Sequence, residues 1–117
     1  MTLGEVSGHR VLEVDPTGPP LGTEADATEL IGEAYVQEAD VIALPVSRLH
    51  SDFLTLRTGM AGAFLQKIQT YGFRLAVVGD ISGALAKSTA LRAFVHESNQ
   101  TGQTLFVNDR DELSERL

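Results

Sequence analysis

Five polar residues stand where an α/β domain can do chemistry: Arg57, Thr58, Asp80, Ser82 and Asn99. Arg57, between Leu56 and Thr58 at the start of a helical stretch, can hold a small anion in its guanidinium fork, helped by helix amides. It can equally pair with Asp80 or Glu97 and fix a turn. Asp80 and Ser82 follow an apolar run, and open α/β sheets collect ligands at the carboxyl ends of their strands. There Asp80 can bind a cation or act as a base, and Ser82 can bond a substrate. Asp80 can also simply cap the following turn. The Gly79 to Gly83 spacing is not a phosphate loop, because no Gly-Lys-Ser/Thr follows. His9, His50 and His96 have no metal-ligand spacing, and no Gly-x-Ser-x-Gly elbow is present. His96 and Glu97 are neighbours on a helix and do not face each other. Glu97, Ser98 and Asn99 close that helix. No metal and no cofactor are expected.

A second pattern is one of missing side chains. From Leu49 to Ile68 the sequence follows an apolar strand and reads as a helix, broken near Arg57 to Gly59. Met60, Ala61, Phe64, Leu65 and Ile68 share its apolar side, while Thr58, Gly59 and Gly62 leave the other nearly bare. Glycine inside a helix gives up about 1 kcal/mol against alanine. The spacing therefore predicts a close approach by another element, a second copy or a ligand. Gly59, Gly62 and Gln66 are the candidate interface, and a closed homodimer is the commonest arrangement of that kind.

The elements that must carry these residues alternate. His9–Val14 alternates polar and apolar residues and reads as a first strand. Asp15-Pro16-Thr17-Gly18-Pro19-Pro20 ends it with loop chemistry. Asp26 with Glu29 reads as a capping box opening a helix to about Glu38. The continuous apolar run Asp40–Val46 reads as a strand covered on both faces, with Pro45 at its end. After the glycine-bearing helix, Gly72 is a stop, Phe73–Gly79 a buried strand and Asp80–Gly83 a turn. A helix from about Ser88 to Asn99, a short strand Gln103–Val107, and a terminal helix capped by Asn108 complete the chain. Leu113 and Leu117 are the core contacts of that last helix. The expectation is a single α/β domain over residues 1–117, its ordered core from about 9 to 117, with a four-stranded mostly parallel or mixed sheet and about four helices.

Composition narrows the function. The chain has 117 residues, no cysteine and a formal net charge of −7. Thiol catalysis and cysteine metal sites are excluded. The nine Lys and Arg residues are scattered in an acidic chain, which argues against nucleic acid and anionic membrane as partners. A local basic patch can still form around Arg57, Lys67 and Arg74. No apolar run approaches the roughly 20 residues that span a bilayer, and Met1–Glu5 carries no signal-peptide pattern. A soluble, cytoplasmic protein is expected.

Four segments carry a resemblance: Asp52–Gly62, Leu65-Gln66-Lys67, Arg74–Asp80 and Leu91–Asn99. They resemble the domain of unknown function 4180 family from about His9 to Leu117, which implies a small bacterial α/β domain of unestablished activity. The order of elements is more distantly similar to STAS domains of anti-sigma-factor antagonists. Those carry an Asp-Ser-Ser-Gly-Leu type turn with a phosphorylatable hydroxyl. Here Arg57-Thr58-Gly59-Met60 stands in that place, Thr58 and Gly59 match in character, and Leu56 and Arg57 replace the acidic residue. Two functions follow. One is a STAS-like regulatory or protein-interaction module, partnered by another protein or by itself. The other is a binder or enzyme for a small anionic ligand, with a polar site around Arg57, Thr58 and Asp80, extended by Ser82 and Asn99.

Overall fold

Parallel strands that sit in chain order need every crossover to turn the same way, and right-handed crossovers then put all the connecting helices on one face. The computed structural model, which describes residues 1–117, has this arrangement. Five strands lie in sequential order: β1 (Thr2–Val6), β2 (His9–Glu13), β3 (Val41–Pro45), β4 (Arg74–Val78) and β5 (Thr104–Val107). β1 is antiparallel to β2, and every other pair is parallel. Helices α1 (Glu24–Val36), α2 (Met60–Thr70), α3 (Ser82–Lys87) and α4 (Thr89–Thr101) fill the crossovers, and α5 (Arg110–Arg116) ends the chain.

The two faces of the sheet are unequal. Leu12, Ile42, Leu44, Leu75, Val77 and Phe106 meet α1 and α2 in a core of 19 buried residues, with Phe94 and Val95 of α4 against it. On the other face Val11, Val41, Ala43, Ala76, Leu105 and Val107 meet Leu113 of α5 in a cluster of eight. Small residues on that side suit a single short helix.

The sheet has one strand more than the four expected. The added strand, β1, is an edge strand holding Gly4, with little alternation to mark it. A turn in which both Ser7 (φ 51°) and Gly8 (φ 81°) are left-handed joins it to β2, the condition of the type I′ hairpin. The Ser7 hydroxyl donates to the Ser114 carbonyl at 2.6 Å and ties the hairpin to α5. There are five α-helices where about four were expected, because the six residues of α3 were too short to show a period.

Helix starts also shift. Thr23, not Asp26, is the N-cap of α1: its hydroxyl accepts from Asp26 N at 3.1 Å, and Asp26 accepts from Thr23 N at 3.0 Å and Gly22 N at 2.9 Å. The box is real but one turn earlier than Asp26 and Glu29 implied. Asp109, not Asn108, caps α5 by accepting from Glu112 N, while Glu112 accepts from Asn108 N. Between Leu49 and Gly59 there is no α-helix. The chain advances by i to i−3 bonds, Phe53 N to His50 O, Thr55 N to Asp52 O, and Gly59 N to Leu56 O. Phe53 is fully buried and packs edge-to-face on Phe64 of α2, ring centres 5.4 Å apart. That anchor draws the connection inward, so α2 begins only at Met60.

The Asp26 carboxyl feels burial that raises its pKa, yet the Thr23 and Gly22 N–H groups, the Thr23 hydroxyl and Arg48 together hold it below its ordinary 3.8. A carboxylate depressed in the fold stabilises above its unfolded pKa and loses that contribution as pH falls through the folded one. Asp26→Asn should therefore cost about 1 kcal/mol at neutral pH. Measured by urea unfolding across pH, the difference from wild type should shrink only below the ordinary carboxylate value.

Candidate functional site

The polar candidates separate into those consumed by the fold and those left free. Thr58 is consumed. Its hydroxyl reaches the Asp52 and Thr55 carbonyls at 3.0 and 2.9 Å and accepts from Met60 N at 3.3 Å. It knots the connection just before α2. Asp80, at the carboxyl end of β4, accepts from Ser82 N at 2.8 Å. The Ser82 N–H first and its hydroxyl second hold the Asp80 carboxyl below its ordinary 3.8. A carboxyl shifted that way is a weakened base. Asn99, on α4, is bonded instead to β5. Its carbonyl accepts from Phe106 N at 2.7 Å and its amide donates to Phe106 O at 3.3 Å. It thus occupies a donor and an acceptor on the open edge of β5, where an unpaired strand would otherwise invite another.

Arg57 is free. It pairs with neither Asp80 nor Glu97 and lines an open cleft of about 740 Å3. One wall of the cleft is the connection from Ser51 to Arg57, and the other is α3 with the start of α4. Lys87, which local pattern did not single out, lines the opposite wall. Asp80 precedes α3 and Ser82 is its first residue, but neither lines the cleft, and nor does Asn99. Thus the five candidates do not converge on one pocket.

The histidines lie on separate elements. His9 is in β2, His50 accepts from Asp52 N at 3.0 Å, and His96 bonds Gln100 at 3.1 Å. No group of three His, Asp or Glu is arranged to hold a metal ion.

The small residues lie elsewhere. Gly59 is not inside a helix: it is the left-handed residue (φ 76°) at which α2 starts. Gly62 is inside α2 and exposed, and a Cβ added to it would meet nothing within 4 Å. Packing within the chain therefore does not require glycine there. A groove of about 370 Å3 runs beside it, lined by Glu24 of α1 and by Gly62, Gln66, Lys67, Thr70 and Tyr71. A second, of about 190 Å3, lies between α2 and α4 and is lined by Gly62 and Gln66 with Phe94 and Ser98.

With that geometry in view, a family model described as Domain of unknown function (DUF4180) matches residues 6–117. The chain belongs to this family. No curated protein and no solved structure matches it. The DUF4180 match begins at the last residue of β1 and takes in every candidate residue discussed above. No helix of the DUF4180 domain is long and apolar enough to cross a membrane.

One signal readable in the sequence marks this half of the DUF4180 domain. From Phe53 to Gly79, 27 consecutive residues include no Asp or Glu, in a chain that has 16. The stretch holds Arg57, α2 and β4, so the acid-free region is the one that carries both the free arginine and the bare helix face.

Two pairs of stability measurements check these assignments. Gly62→Ala should raise unfolding stability by about 0.5–1 kcal/mol, while Gly59→Ala should lower it by about 1 kcal/mol, the cost of holding alanine left-handed. Asn99→Ala should cost about 1–2 kcal/mol, and hydrogen exchange at Phe106 should accelerate in it ahead of the rest of β5.

Proposed function

We propose that this domain is a cytoplasmic, bacterial, STAS-like regulatory module that works by contact rather than by turnover, and that its first partner is a second copy of itself. The observation that carries the reading is Gly62: an exposed glycine in the first turn of an eleven-residue helix, with open space where a side chain would stand. It costs the free domain stability without a packing return, which fits a surface that another backbone approaches.

Charge supports a self-contact. An isologous interface sets a patch against itself, so like charges at its centre repel. α2 carries one charged residue, Lys67, and no acid. Glu24 and Lys67 line the same groove without pairing in the chain, and a two-fold contact gives each an opposite charge in the second copy. Exposed apolar residues support it as well. Tyr35, Val36 and Tyr71 stand at the carboxyl ends of α1 and α2, and 82% of Val36 is exposed. Exposed tyrosine is enriched at contact surfaces. The likeness to STAS regulators rests on the order of elements and on Thr58-Gly59 after β3. The dispersal of Thr58, Asp80, Ser82 and Asn99, each bonded within the chain, counts against a single catalytic constellation around them.

Sedimentation velocity tests the reading. Wild type should move from 12.6 kDa toward twice that mass as concentration rises, and Gly62→Arg should stay at the monomer mass with an unchanged circular dichroism spectrum. A wild-type mass that stays at 12.6 kDa up to millimolar protein overturns the self-contact.

A further inference from the structure

The chain has seven arginines, and the fold uses six of them. Arg10 donates to the Gln37 and Glu38 carbonyls, closing α1. Arg48 donates to the Asp15, Thr17 and Pro19 carbonyls and holds the proline loop. Arg74 donates to Gly102 O and Arg92 to Leu85 O. Arg110 pairs with Glu13, and Arg116 with Glu112. Arg57 alone has no partner.

Its surroundings make that isolation informative. Lys87, across the cleft, also lacks a carboxylate partner. No Asp or Glu lines the cleft, although the chain carries 16 acids against nine bases. The nearest acids in sequence do not line it: Asp52 lies 3.9 Å from His50 Nδ1, and Asp80 accepts from Ser82 N. The cleft therefore has two free cations and no counter-charge. Its volume of about 740 Å3 is that of a small-molecule site. Its walls add apolar surface from Leu54, Leu56, Ala84 and Ala90. It opens beyond the carboxyl ends of β3 and β4.

We propose that the cleft between the Ser51–Arg57 connection and the Gly83–Ala90 segment binds a small organic phosphate, with Arg57 and Lys87 on the phosphate and the apolar walls on its organic part. A guanidinium fork and an ammonium lining one cleft suit a dianion with several acceptor oxygens better than a single carboxylate. The site is separate from the outer face of α2 and does not rest on self-association. It replaces Thr58, Asp80, Ser82 and Asn99, whose polar groups bond within the chain, with Lys87 as the partner of Arg57.

Phenyl phosphate is the probe, titrated into the 15N-labelled full chain and followed by amide shifts. Saturable shifts confined to Ser51–Arg57 and Gly83–Ala90 are expected. Arg57→Gln and Lys87→Gln should each weaken binding about tenfold and leave the remaining spectrum unchanged, since neither side chain has a partner in the fold. Inorganic phosphate and benzoate should both bind more weakly. Scattered or unsaturable shifts, or affinity unchanged in both variants, overturn the site. Benzoate binding as tightly as phenyl phosphate overturns the phosphate assignment, and inorganic phosphate doing so overturns the organic one. Gly62→Arg should bind the probe like wild type, which separates this result from the self-contact.

Discussion

The handedness of the parallel crossover governs this molecule. With β2 to β5 in chain order, a single rule of hand puts α1, α2 and α4 on the same face of the sheet. α2 is the middle one. Ala61, Phe64, Leu65 and Ile68 are committed to the core below, and grooves separate it from its neighbours on either side. Its outer side is left to solvent, with no helix of the chain to cover it. The same rule leaves the opposite face to one seven-residue helix, and the small residues Ala43 and Ala76 there match so thin a cover.

That placement gives the acid-free stretch a physical meaning. The carboxylates that make the chain acidic lie outside residues 53–79, and several serve the fold: Asp26 and Asp109 at helix starts, Glu13 and Glu112 on arginines. Within the stretch, Arg57 and Lys67 have no partner in the chain. The connection from β3 to α2 therefore presents a cation to the cleft, and the helix that follows presents a nearly neutral face. Thr58 joins the two, since its hydroxyl bonds both to the connection and to the first amide of α2.

Much of the fold was legible. The buried runs around Ile42 and Val77 announced parallel strands, and the spacing of Phe64, Leu65 and Ile68 announced α2. What was hidden depended on choices that local sequence leaves open. β1 takes its place from a left-handed turn at Ser7 and Gly8. The Leu49–Gly59 stretch had helical apolar spacing, but burial of Phe53 won over propensity. In the candidate site, Arg57 was legible as a cation with no carboxylate close by in sequence, since none lies from Phe53 to Gly79. Thr58, Asp80 and Asn99 were legible only as polar: a hydroxyl, carboxylate or amide bonds a ligand or the nearest backbone equally well, and distance decides. Lys87 gave no local signal, because it meets Arg57 only once the sheet brings β3 and β4 together.

On the proposed function, a second copy covers the outer face of α2 in solution. Paramagnetic broadening of amide resonances by a soluble gadolinium chelate, at low and at high protein concentration, tests it residue by residue. Gly62, Ala63, Gln66 and Thr70 should be broadened in dilute protein and become shielded as concentration rises, while exposed residues of α5 such as Ser114 stay equally broadened. If the α2 amides remain as exposed in concentrated protein as in dilute protein, the claim is contradicted.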